Sequence, residues 1–318
     1  MNEVSRRDWL KQSAAVAGAV VAAGAPLFAG EDSRVTKVKW KTAIGLNGFA
    51  SSAAKYDKRF PIWEVLDFAA SVGFDGIELM GSWPQGPYPS VKERDRVRAL
   101  RRLYDFYGLQ IFSMQTGAAD AFAPDAERRK RWLQRKRGEI ALASALGCEC
   151  LGMWPYGGLR GQTVEQAIAH LAVSLREVAK MADDYGIVTA FEIEPPFAFN
   201  SEEHLVKILE WANDARVKTI YDPSHFDLMN GSSGKPHEML ARIGVKHIGY
   251  VHFTDTDGTL RKGETSKHLP AGDGHVDLGA TFKTLRDGGF EGWVMVDAWQ
   301  VPDPYDAGRK GIAAIRNG

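Results

Sequence analysis

Five short apolar segments of this chain each run into an ionisable side chain, and that pattern limits the folds it can adopt. They are VTAFEIEPP (188–196), KTIYDPSH (218–225), IGYVHFTD (248–255), WVMVDAW (293–299) and, earlier, FDGIELM (74–80). A carboxylate or imidazole that closes a run of β-branched and aromatic residues contributes nothing to packing there. In a barrel of parallel strands the strand ends converge on one mouth, where active sites form. Glu192, Asp222, His252 and Asp297 would then meet around one point. Three carboxylates and one imidazole so placed would repel one another unless a metal ion neutralised them.

From about residue 35 the sequence alternates strands with amphipathic helices. Strands are expected at 38–46, 75–80, 109–114, 149–153, 187–194, 217–222, 246–253 and 293–298. Helices are expected near 61–72, 90–107, 125–146, 163–185, 201–213, 236–243, 278–287 and 305–316. Gly108, Gly147 and Gly186 each follow a helical pattern and precede an apolar residue entering a strand, as a helix C-terminal stop does. Thr163 with Gln166 reads as a capping box, and Ser201 as an N-cap. Eight such units predict a (β/α)8 TIM barrel over 35–318. An open doubly wound sheet is the alternative, but no G-x-G-x-x-G follows the first strand, so a dinucleotide site has no support.

The acidic and basic residues number 40 each in 318. A formal charge of zero argues against a general nucleic-acid or membrane-surface binder, which needs a basic excess. The densest basic run, at 127–137, reads as a solvated helix face. Cys148 and Cys150 read as core or near-core thiols; two cysteines make no disulfide scaffold. Residues 1–30 are set apart: Arg6 and Arg7 precede an apolar stretch from Ala14 to Ala29, resembling a twin-arginine export signal. That stretch is shorter than the ~20 residues a membrane-spanning helix needs. The expectation is therefore a cleaved signal, an exported or periplasmic protein, and no stable membrane insertion after processing.

Glu192 and Glu194 lie two apart and would share one strand face. Asp222 and His225 form D-x-x-H, and His252 and Asp255 form H-x-x-D. Each pair alone is weak; their coincidence at successive strand ends carries the argument. The segments GIVTAFEIEPP, YDPSHFD, YVHFTD, LPAGDGHVD (269–277) and GFEGWVMVD, in this order, resemble strands five to eight of the xylose-isomerase-like TIM barrels. That superfamily holds sugar isomerases and 3-epimerases, inosose dehydratase and endonuclease IV. The resemblance implies one divalent metal, Mn²⁺ or Mg²⁺ by preference and Co²⁺ or Zn²⁺ as options, held by Glu192, Asp222, His252 and Asp297. It implies proton transfer by Glu192 and Asp297, with His225 at a substrate oxygen, on a sugar that passes through an enediolate. The family pattern ends strand eight in Glu; Asp297 is one methylene shorter, which puts its role as a base in doubt.

Glu78, Glu194, Trp83, Trp154, Asp255 and His268 are candidate substrate contacts, with Phe197, Phe199 and Lys267 as further options. The expected activity is isomerisation or epimerisation of an unphosphorylated sugar or keto-sugar. Two alternatives stand beside it: a dehydratase or lyase acting on an inosose or 3-keto-glycoside, and a non-catalytic exported carbohydrate-binding barrel. The expected partner is a small carbohydrate and no nucleic acid; assembly into a homo-oligomer is left open. An endonuclease IV-like role is disfavoured, since its extra histidine ligands have no counterpart at Glu78, Gln115 and Trp154.

Overall fold

Eight parallel strands close on themselves in a computed structural model that describes residues 40–80, 87–262 and 264–318. In chain order they are β1 (Lys41–Gly45), β2 (Gly76–Met80), β3 (Gln110–Gly117), β4 (Cys150–Trp154), β5 (Val188–Phe191), β6 (Val217–Tyr221), β7 (Ile248–Phe253) and β8 (Trp293–Val296). β1 pairs with β2 on one side and with β8 on the other, which excludes the open doubly wound sheet. The outer ring comprises α1 (Leu46–Tyr56), α2 (Ile62–Val72), α3 (Arg94–Phe106), α4 (Ala126–Leu146), α5 (Val164–Asp183), α6 (Glu202–Ala212), α7 (Pro223–Met229), α8 (Pro236–Ile243), α9 (Leu278–Asp287) and α10 (Pro304–Asn317). No helix among the described residues is long and apolar enough to cross a membrane. The signal expected over residues 1–30 lies outside the described residues.

Local chemistry sets the boundaries. Thr163 and Gln166 form the reciprocal capping box at the start of α5, so two orphan helix donors are satisfied. Ser201 accepts the His204 N–H to start α6, and Asp125 does the same for α4. Gly147 ends α4 at φ 83°, a left-handed turn that glycine adopts without strain.

Two apolar layers result. Inside the barrel, Ala43, Phe112, Cys150, Ala190, Ile220, Tyr250, Trp293 and Met295 pack together, with Phe112 stacked on Trp293 at 4.6 Å. This plug fills the lower barrel and leaves the strand C-termini for polar groups. A larger cluster joins the outer strand faces to the helices and includes Cys148. Both cysteines are free, and burial raises their thiols, Cys148 to about 12. Such thiols are inert packing groups.

The structure revises several boundaries. β5 ends at Phe191, so Glu192 and Glu194 sit in the loop after it rather than on the strand. α1 and α7 were not anticipated. The 127–137 run is only partly a solvated face, because Trp132 and Lys136 are each just 1% exposed. Lys136 Nζ bonds Thr116 Oγ1 at 2.6 Å and pairs with Glu139.

Candidate metal centre and substrate pocket

Four strand ends deliver the central cluster. Glu192 follows β5, Asp222 follows β6, His252 lies in β7 and Asp297 follows β8. One ligand atom from each of Glu192, Asp222 and His252 lies within 4.8 Å of the other two, and all three residues are buried. His252 Nδ1 is 2.8 Å from Glu192 Oε1 and 3.6 Å from Asp297 Oδ2. Asp297 stands at the edge of this set because other donors hold it. Asn47 Nδ2 donates to Oδ1 at 3.1 Å and to Oδ2 at 3.0 Å, and the Trp299 N–H donates to Oδ1 at 2.9 Å.

Asp222 divides its carboxylate between two tasks. Oδ1 caps α7, accepting the Ser224 N–H at 2.7 Å and the Ser224 hydroxyl at 2.6 Å. Oδ2 is buried and closes no well-formed hydrogen bond; its nearest donors are the imidazoles of His268, Nε2 at 3.4 Å, and His225, Nε2 at 3.7 Å. A buried carboxylate oxygen met only by imidazoles at these distances is incompletely satisfied, and a bound cation would complete it. The donor set around it, mostly carboxylate oxygen with one imidazole nitrogen, fits a hard or borderline divalent ion. The residues present therefore suit the group.

His225 faces the same point. Its Nε2 lies 3.7 Å from Asp222 Oδ2 and 3.9 Å from Glu192 Oε1. Its Nδ1 lies 2.8 Å from Ser266 Oγ, which lies 2.7 Å from Ser224 Oγ. Proton counting assigns the directions. Ser224 gives its proton to Asp222, so Ser266 gives its own to Ser224 and must accept from His225 Nδ1–H. Nε2 is left facing the pocket as the reactive nitrogen.

Electrostatics follow from this crowding. Burial works to lower His252, but Glu192 and Glu78 overcome it and hold the ring well above the usual histidine range. Burial likewise works to raise Asp222, yet His225, His268 and the Ser224 bond hold it well below the usual carboxylate range. Asp297 and Glu194 are both raised, chiefly by burial. His268 is pushed up to about 9: burial opposes the shift, and Asp222 drives it.

Above the cluster lies a cavity of about 330 Å³, lined by Glu192, Glu194, His225, His268 and Asp297, with Asn47, Gln115, Met80, Trp154, Phe197, Glu264, Thr265, Trp299 and Gln300. Glu264, Thr265 and His268 come from the long loop after β7, tied to itself through Asp255–Leu269 and Leu260–Ser266 bridges. Gln115 Nε2 donates to Glu192 Oε2 at 2.9 Å and fixes that carboxylate. No lysine or arginine is among the lining residues described.

Several expected substrate contacts lie elsewhere. Asp255 is buried and its carboxylate accepts four backbone N–H groups, from Thr256, Gly272, Gly274 and Val276. It organises the loop rather than touching substrate. Glu78 is 2% exposed and bonds His252 Nε2 at 3.0 Å and the Tyr250 hydroxyl at 2.7 Å, away from the pocket wall. Phe199 packs on Phe122 in the core, and Lys267 pairs with Asp257. Trp83 lies outside the described residues. Asn47, Trp299 and the Ser224–Ser266 pair escaped the sequence reading, which noted Gln115 only as a strand end lacking a histidine; the position of Asn47 just after β1 was the available signal.

Comparison with known proteins gives a consistent set. A family described as xylose isomerase-like TIM barrel matches residues 66–317. An inosose dehydratase of Clostridium tetani is 22% identical over 250 residues, 72% of this chain and 79% of the relative. An L-ribulose-5-phosphate 3-epimerase of Shigella boydii is 23% identical over 252 residues, 77% and 86% of the two chains. The crystal structure of the IolI protein with a bound zinc atom superposes with a TM-score of 0.67 at 19% identity, covering 87% of this chain and 95% of that one.

Proposed function

The chain belongs to the xylose isomerase-like TIM-barrel family, and from that premise we propose that it is a divalent-metal-dependent enzyme. It moves the proton beside the carbonyl of an unphosphorylated sugar or keto-sugar, as an isomerase or epimerase. The observation that carries this reading is the buried cluster of Glu192, Asp222 and His252, with Asp297 at its edge and an incompletely satisfied Asp222 Oδ2, on the floor of a sugar-sized cavity. Those four residues would hold the ion, Mn²⁺ or Mg²⁺ by donor type. When bound, the ion supplies Lewis-acid polarisation of the substrate carbonyl and acidifies the adjacent C–H.

The chain's own groups do the rest. Glu192, anchored through Oε2 by Gln115, is the base at the C–H. His225, locked by Ser266 with Nε2 inward, exchanges a proton with a substrate oxygen. Trp154, Phe197 and Trp299 offer apolar faces to a sugar ring, while Glu194 and His268 contact hydroxyls. Four lining carboxylates (Glu192, Glu194, Glu264, Asp297) and no described lysine or arginine disfavour a phosphorylated substrate. This is a point of difference from the ribulose-phosphate relative.

A second reading has its own support. Asn47 and the Trp299 N–H hold Asp297 back, so Glu192 is left as the principal base. One base suits elimination: Glu192 takes the proton, the C–O bond beyond it breaks, and His225 protonates the departing oxygen. The similarity to inosose dehydratase agrees with that chemistry. The complete donor set argues against a non-catalytic carbohydrate-binding barrel. Export through the twin-arginine route, proposed on Arg6 and Arg7, would also favour unphosphorylated substrates. The test is a panel of ketoses, inososes and 3-keto-glycosides, each with its phosphorylated counterpart where one exists, followed by NMR and mass spectrometry. Mass-neutral products identify isomerisation or epimerisation, loss of water or aglycone identifies the lyase, and turnover confined to phosphorylated sugars refutes the substrate class.

A further inference from the structure

We propose that Glu78 is a positioning residue for the metal centre, fixing the His252 ring from behind, and that Tyr250 and Gly152 serve to hold Glu78. The proposal rests on the metal reading given above. His252 is fully buried, with Nδ1 turned toward Glu192 and Asp297 and Nε2 bonded to Glu78 Oε2 at 3.0 Å. A ring held on its ligand side alone could flip or tilt; a carboxylate on the opposite nitrogen selects one orientation and raises the basicity of the ligating nitrogen. Glu78 itself is immobilised, since its Oε1 accepts the Tyr250 hydroxyl at 2.7 Å.

Room for that hydroxyl comes from β4. A Cβ built on Gly152 would lie 2.2 Å from the Tyr250 hydroxyl oxygen, so any side chain there would displace it. Three strands, β2, β4 and β7, thus contribute one residue each behind His252. Packing does not account for Glu78. A carboxylate 2% exposed in the barrel interior carries a desolvation penalty that an apolar residue would avoid. Among the described residues its bonds run to His252 and to the tyrosine that steadies it.

The alternative role is purely structural, in which Glu78 neutralises a charged His252 and stabilises the fold. Cobalt titration of full-length protein by chelator competition, read together with the visible Co²⁺ spectrum and with melting of the metal-free protein, separates the two. Glu78→Gln keeps the size and one acceptor but loses the charge. It is expected to weaken Co²⁺ binding about 10–100-fold and to shift the Co²⁺ bands. Tyr250→Phe and Gly152→Ala should each reproduce the band shift with a smaller loss of affinity. A folded Glu78→Gln protein with wild-type affinity and an unaltered spectrum overturns the proposal, even if its metal-free melting point falls. Should Glu78→Gln fail to fold, Tyr250→Phe decides by the same two readings. Wild-type protein that binds no Co²⁺ overturns the metal reading itself, whereas wild-type binding with unaffected variants overturns this proposal alone.

Discussion

Replacing Asp222 by Asn separates the two tasks of that carboxylate. Oδ1 caps α7 through Ser224 N–H at 2.7 Å, and Asn caps a helix about as well as Asp, so the cap survives. The oxygen that faces the cluster, Oδ2, is lost as an anionic donor. An ion that binds only the folded protein stabilises it by about 2.7 kcal/mol at a concentration 100 times Kd and about 4.1 at 1,000 times. For a domain of this size each kcal/mol moves Tm by roughly 2 °C, so wild type should gain about 5–8 °C on adding metal. Asp222→Asn should gain less than about 2 °C under the same conditions. Asp222→Ala should lose the metal response too, and in chelator should melt below Asp222→Asn by a cap worth about 1 kcal/mol. The assay is differential scanning calorimetry with and without Mn²⁺, with bound metal measured in parallel. A full metal-induced shift and full occupancy in Asp222→Asn would refute the reasoning.

Three further outcomes are expected. Metal affinity should fall with acid by up to about tenfold per pH unit for each proton displaced, because His252, raised well above its ordinary range, holds a proton in the metal-free protein that the ion must expel; a pH-independent Kd between pH 6 and 8 would contradict this. Asp297→Glu restores about 1.5 Å of reach and should raise 3-epimerase turnover relative to isomerase or lyase turnover; a wild type already interconverting C3 epimers at rates of about 1–10³ s⁻¹ would sink the one-base account. Lysine at both Arg6 and Arg7 should leave precursor in the cytoplasm, read by fractionation and immunoblot, and undiminished periplasmic recovery would point to another export route.

The barrel was legible because both of its signals are local. Apolar runs mark the strands, glycine stops at Gly108, Gly147 and Gly186 mark three helix ends, and ionisable residues at the ends of β5 to β8 cannot be packing residues. What the sequence hid depends on long-range pairing. Glu78 resembles a pocket acid until Tyr250 and His252, more than 170 residues away, take up its oxygens. Asp255 sits in an H-x-x-D motif that resembles a site, yet its four partners are backbone N–H groups supplied by the loop ahead. Asn47 opens α1, a helix whose Ser/Ala/Gly-rich sequence gave weak periodicity, so its grip on Asp297 at the far end of the chain went unread. The helix α7 did announce itself, with Asp222 as N-cap and Pro223 at the first turn, but the same letters read equally well as a metal-site motif.

The central claim is metal-dependent proton transfer beside a sugar carbonyl, and solvent exchange measures it without naming the final product. Metal-loaded protein is incubated in D₂O with a panel of unphosphorylated keto-sugars, and deuterium at the carbon next to the carbonyl is followed by NMR. Incorporation should be rapid with at least one sugar, should cease after chelation, and should return when a divalent ion is restored. Incorporation that continues undiminished after the metal is removed, or none with any sugar from fully loaded protein, would contradict the account.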